Sequence, residues 1–212
     1  MTFIDVVVFV LFIFSVIVHE VAHGWVAYRM GDPTAKEMGR LTLNPVPHID
    51  LFMTILLPVA LHFLSNGAFM FGGAKPVPVD PRRFRNPRRG LMLVSLAGPA
   101  SNVLLAVVAA AVFRGILAGT GATVESLAVA QALTVCMHLC FLNLFLALFN
   151  LIPVPPLDGG RVVTGLLPYE LACQYARIEP YGLMVVLALV YTNATEYLAI
   201  AADFAMRVML SA

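Results

Sequence analysis

Four stretches of this chain are long and apolar enough to cross a bilayer, and that one feature leaves few folds open. A spanning helix needs about 20 mostly apolar residues, and the stretches 3–28, 90–114, 125–152 and 181–202 supply them. In lipid every backbone polar group must find its partner within the protein, so such stretches form helices or closed barrels, and apolar runs of this length are helical. Of the 212 residues 60% are hydrophobic and only 12% charged, and the mean hydropathy is +0.90, well outside the range of a soluble domain. The expected fold is therefore an all-α polytopic membrane protein of about four to six transmembrane helices, organised as a single membrane-embedded domain over 1–212. That length leaves no room for a separate soluble domain of ~100 residues beside the spans. The first apolar run has neither a cationic start nor a small-residue cleavage site, so it is expected to remain as a helix. The net charge of +1 gives no reason to expect nucleic acid as a partner. Cys136, Cys140 and Cys173 form neither a paired framework nor a CxxC element and read as reduced packing residues.

The basic residues set the direction of the spans. Arg29, Lys36 and Arg40 fall in one loop, Lys75, Arg82, Arg83, Arg85, Arg88 and Arg89 in another, and the connection 115–124 has none. By the positive-inside rule both basic loops face the cytoplasm. The segment between them must then cross an even number of times. It contains a short apolar run, 50–65, interrupted by Pro58 and followed by the Gly-rich stretch 65–73, so the expectation is a re-entrant segment near 50–73. The first span then runs inward, 90–114 outward, 125–152 inward and 181–202 outward.

Inside the first span the chain reads Val18-His19-Glu20-Val21-Ala22-His23-Gly24. A period of 3.6 residues puts His19 and His23 on one face, one turn apart, where two imidazoles can hold one zinc ion. Glu20, beside the first imidazole, is placed to take a proton from water at the metal and act as general base. Three ionisable residues within five positions of an apolar span carry a large insertion cost and call for a functional partner. A catalytic zinc usually takes a third protein ligand. The best candidate is Asp158, in Asn150-Leu151-Ile152-Pro153-Val154-Pro155-Pro156-Leu157-Asp158-Gly159-Gly160-Arg161, where prolines end one helix and glycines allow an unusual turn. A simple N-cap for a helix near 159–167 is the competing reading of Asp158. The topology favours the metal, because it brings Asp158 to the same side and depth as the two histidines.

With these motifs the chain resembles the site-2 protease family of intramembrane zinc metalloproteases, peptidase family M50. HEVAH matches the family's zinc motif, Asn150 to Asp158 its NxxPxxxxD element with Leu157-Asp158-Gly159 as LDG, and Ala97-Gly98-Pro99-Ala100-Ser101-Asn102 a third element, all in the family's order. The resemblance is to a small bacterial or archaeal type without PDZ or CBS domains. It implies one zinc ion held by His19, His23 and Asp158, Glu20 as general base, and Asn150 and Asn102 as substrate-binding residues close to the site; a helix–helix hydrogen bond beside a close contact at Gly98 is the competing reading of Asn102. It further implies proteolysis of single-span membrane proteins within the lipid bilayer of a prokaryotic cell membrane, with the active site toward the cytoplasm; a homo-oligomer is compatible with the sequence. Gly73 to Val79 resembles a short extended edge segment, since its prolines prevent helix and central-strand pairing alike; it either receives an unwound substrate by strand addition or is a plain surface loop.

His48, His62 and His138 are not assigned to the metal, and Glu196 faces either a cavity or an interfacial turn. Two other classes compete with the protease. An ion or metal transporter would also place His, Glu and Asp in a membrane, but transporters commonly carry internal repeats, and HEVAH and LDG each occur once. A catalytically silent membrane binding protein would have no need of Glu20.

Overall fold

The computed structural model describes residues 2–50, 54, 56, 63, 73–120 and 126–211. Eight α-helices are present among the described residues: α1 (Phe3–Arg29), α2 (Thr34–Glu37), α3 (Pro87–Gly119), α4 (Leu127–Asn150), α5 (Asp158–Leu166), α6 (Tyr169–Ala176), α7 (Glu179–Tyr191) and α8 (Thr195–Ser211). Those residues contain no β-strand. Three helices, α1, α3 and α4, are individually long and apolar enough to span a membrane, and α7 with α8 makes a fourth candidate if the bent pair is one span. The chain is a polytopic all-α membrane protein, with three or four candidate spans among the described residues.

Local chemistry sets the helix ends. Thr2 and Asp5 form a reciprocal capping box at the start of α1, which satisfies two of the amides a helix leaves unpaired. At the other end Gly31 takes φ +106°, and the amides of Gly31 and Asp32 bond back to the carbonyls of Tyr28 and Ala27. This is a Schellman closure, which needs the left-handed backbone that glycine adopts without penalty. The predicted span 181–202 is interrupted by the same chemistry. Asn193 has φ +56°, its amide bonds to Val190 O, and the Ala194 amide bonds to Leu189 O. That cap ends α7, and α8 leaves at 71° to it.

α3 is the centre of the molecule and packs on α1, α4, α5 and α8, while α4 also contacts α1 and α8. The contact between α3, α4 and α8 is built on Ala106, Ala109, Ala110, Cys140, Leu144, Ala202 and Met206. Small residues suit such a position, because in lipid the gain comes from close backbone approach and not from expelling water. This packing holds α8 against the middle of the bundle, although α7 does not continue into it. Cys136 and Cys140 are buried thiols and Cys173 an exposed one, all reduced.

The two basic loops meet at one end of the bundle. Asp32, fully buried after the α1 closure, accepts from the Asp80 amide at 2.7 Å and from the Thr34 amide and hydroxyl. Arg83 stands 3.9 Å from Asp32 and 3.7 Å from Glu37. The chain therefore returns to its starting side between the two loops. Most of the re-entrant segment expected near 50–73 lies outside the described residues. Residues 73–79, where an extended edge segment was expected, form neither helix nor ladder. Lys75 donates its amide to His48 O at 2.8 Å, and Arg40 donates to Lys75 O at 2.6 Å.

Candidate metal centre

His19 and His23 lie one turn apart on α1, and both are buried. Asp158 is the first residue of α5, reached through the proline-rich turn that follows α4. That turn is held by Val154 and Leu157 amides bonding to Ile152 and Val154 carbonyls, and by the Tyr175 hydroxyl donating to Pro153 O at 2.7 Å. These elements bring three ligand atoms together. His19 Nε2 and His23 Nε2 are 3.0 Å apart, and Asp158 Oδ2 is 3.1 Å from the first and 3.2 Å from the second.

The tautomers follow from what the other ring nitrogens touch. His23 Nδ1 is 2.7 Å from the Val94 carbonyl oxygen, which can only accept, so Nδ1 carries a proton and, in the neutral imidazole, Nε2 presents a lone pair. His19 Nδ1 is 2.5 Å from Asn102 Oδ1, with the same consequence. Two imidazole lone pairs and a carboxylate oxygen thus face one another at about 3 Å inside the protein. Three acceptors so placed repel unless a proton or a metal ion sits among them. Ligands about 2.0–2.1 Å from a tetrahedral zinc lie about 3.3–3.4 Å from one another, close to the triangle seen here. The donor set, two nitrogens and a carboxylate oxygen, is also one that zinc accepts. The residues present fit the metal.

α3 closes the back of the centre. A Cβ added at Gly98 would lie 2.5 Å from the His23 ring and 2.6 Å from His19 Cε1, so only glycine lets α3 approach the two imidazoles this closely. Glu20, half-buried on the turn between the histidines, accepts a hydrogen bond at Oε2 from the Val77 amide at 2.9 Å. Prolines at 76 and 78 leave Val77 the only amide in that tripeptide, and it is spent on Glu20.

Among the described residues His19, His23 and Asp158 are the group able to hold a metal ion. Asn102 is fully buried, with its oxygen on His19 and its nitrogen donating to Asn143 Oδ1 at 2.9 Å. Asn150 sits at the end of α4 and donates to Leu146 O of its own helix at 2.9 Å. His48 is buried and engaged with Thr42 O, His138 is bonded to Thr134 O on an exposed face, and Glu196 is exposed at the start of α8; His62 lies outside the described residues. Sequence reasoning missed Asn143, Ser15 and the Val94 carbonyl.

The family model described as Peptidase family M50 matches residues 7–192. The chain belongs to peptidase family M50. Among curated proteins this M50 chain is 41% identical over 190 residues to "Putative zinc metalloprotease YwhC" of Bacillus subtilis, covering 87% of this chain and 80% of that one. It is 32% identical over 180 residues to "Putative zinc metalloprotease Rip2" of Mycolicibacterium smegmatis, covering 85% of this chain and 64% of the relative. The Mycobacterium tuberculosis protein of the same name is 31% identical over 175 residues, 82% of this chain and 62% of its own length. No solved structure matches this M50 chain.

Proposed function

We propose that this chain is an intramembrane zinc protease that hydrolyses peptide bonds of single-span membrane proteins. The observation that carries the reading is the convergence of His19 Nε2, His23 Nε2 and Asp158 Oδ2 within 3.0–3.2 Å of one another, in a buried site built by membrane-embedded helices. Membership of a peptidase family and the zinc metalloprotease names of its relatives support it.

His19, His23 and Asp158 would hold one zinc ion. When bound, zinc supplies Lewis acidity, polarising the scissile carbonyl and lowering the pKa of water to roughly 7. The protein supplies the rest. Glu20, whose carboxylate is oriented by the Val77 amide, takes the proton from the attacking water and returns it to the departing amine. Substrate must arrive locally unwound, because the carbonyls of an intact helix are engaged in its own hydrogen bonds. To Asn150, at the end of α4 and eight residues before Asp158, we assign the holding of the unwound strand. The basic residues of both loops lie at the end of the bundle nearest the site. In a prokaryotic cell membrane that end faces the cytoplasm, which is the side from which water reaches the centre.

The test is cleavage of a panel of single-span membrane proteins by purified wild type and Glu20→Gln, with zinc measured on both. Cleavage by wild type, and a variant that keeps zinc without cutting, is the expected result. Equal cleavage by both would overturn the assignment of Glu20, and wild type without zinc after reconstitution would overturn the metalloprotease.

A further inference from the structure

Behind His19 a line of buried amides crosses three helices, and we infer that Asn143 is a positioning residue that sets the tautomer of His19 through Asn102. The inference rests on the reading of His19 as a metal ligand. It begins at a fixed point, the backbone carbonyl of Leu139. Asn143 has one side-chain atom 2.9 Å from Leu139 O. A carbonyl cannot donate, so that atom must be Nδ2, and its second hydrogen goes to Ser15 Oγ at 3.1 Å. Ser15 Oγ can accept it because its own proton is given to Leu11 O at 3.0 Å.

The other end of the Asn143 amide is then Oδ1, and it faces Asn102 at 2.9 Å. Asn102 must turn Nδ2 toward it, which leaves Asn102 Oδ1 toward His19 Nδ1. His19 answers with Nδ1–H, and its Nε2 keeps the lone pair that points at His23 and Asp158. Each step is forced by the one before, from a main-chain atom of α4 to the metal-facing atom of α1. Asn102 and Asn143 are 0% and 1% exposed, so water cannot substitute for either of these two links. A buried amide network fully satisfied in this way holds a single arrangement, and outer partners of this kind fix the orientation of a ligating histidine.

A merely structural role for Asn143 would be an interhelical hydrogen bond, and two variants separate it from the relay. Asn143→Leu keeps the branched shape in a somewhat larger side chain and removes the acceptor that orients Asn102. Ser15→Ala loosens the same packing, but Leu139 O still sets the direction of Asn143. The experiment measures zinc affinity by chelator competition, melting temperature, and the tautomer of His19 in metal-free protein by ¹⁵N NMR of labelled histidine. Asn143→Leu is expected to weaken zinc on the order of 10-fold and to lose the Nδ1–H form of His19, with Ser15→Ala close to wild type in both. Asn143→Asp, which retains an acceptor toward Asn102, is expected to restore the Nδ1–H form and stands in should the leucine variant fail to fold. The relay is overturned if His19 remains Nδ1–H in Asn143→Leu with zinc affinity unchanged, or if Ser15→Ala loses as much as Asn143→Leu. Wild type without zinc would count against the metal reading alone, because the tautomer comparison decides the relay in metal-free protein.

Discussion

At the scale of single residues, the centre depends on atoms that have no freedom to move. Gly98 is the clearest case. A methyl group there would press on both imidazoles, and overpacking of this kind costs about 1–3 kcal/mol. Gly98→Ala is expected to lower zinc occupancy and melting temperature together, checked by metal analysis and thermal unfolding; a variant with full zinc and unchanged stability would show that α3 can retreat. Glu20→Gln should behave differently, keeping zinc while cleavage falls by about 10²–10⁴-fold. His19, Glu20 and His23 were legible in the sequence because their spacing alone puts two imidazoles on one helix face, and charges in an apolar run demand a reason. Asn143 and Ser15 were not. A lone amide or hydroxyl in an apolar helix has no local pattern, and its significance appears only when α1, α3 and α4 are packed. The available signal was faint: Ser15 precedes His19 by one turn and Asn143 precedes Asn150 by two, so each shares a face with a motif residue.

At the scale of elements, segment 73–80 belongs to the site although it has no regular structure. It is anchored at one end by Arg40 and His48 and at the other by Asp32, and its Val77 amide holds Glu20. Val77→Pro removes that donor and Val77→Ala retains it. Cleavage by the proline variant is expected to fall about tenfold, in keeping with the loss of a hydrogen bond to a charged group, with zinc content unchanged and the alanine variant near wild type. If proline at 77 leaves the rate untouched, the Val77 amide is not what orients the base. Asp32→Ala, which strips the Asp80 amide and Thr34 of their acceptor inside the protein, should free the segment, seen as faster limited proteolysis between 73 and 84. The prolines made the absence of a helix here readable in advance, whereas the partners of these backbone groups were not, since they come from residues 27 to 57 positions away. The break between α7 and α8 was missed for a related reason. The run 181–202 is apolar on both sides of a short polar interruption, Thr192-Asn193-Ala194-Thr195-Glu196, within which Asn193 is one of the few residues that tolerate a left-handed cap.

At the scale of the whole molecule, charge and chemistry agree. The loops carrying Arg29, Lys36 and Arg40 and Lys75 to Arg89 are joined by Asp32, Asp80 and Arg83 at one end of the bundle, as an even number of crossings between them requires. With native cysteines replaced by alanine, single cysteines at Lys36 and Arg85 are expected to react with an impermeant thiol reagent from the same, cytoplasmic, face; labelling from opposite faces would break the topology. That argument from basic residues also explains how Asp158, so distant in sequence, could be matched to the histidines before any fold was known. The central claim is that one zinc ion binds where His19, His23 and Asp158 meet. The measurement that tests it most directly is zinc per chain in purified wild type and in His19→Ala, His23→Ala and Asp158→Ala, each checked for folding. One zinc in wild type and a large loss in every folded variant is the expected result; full zinc in all three variants, or none in wild type after reconstitution, would contradict it.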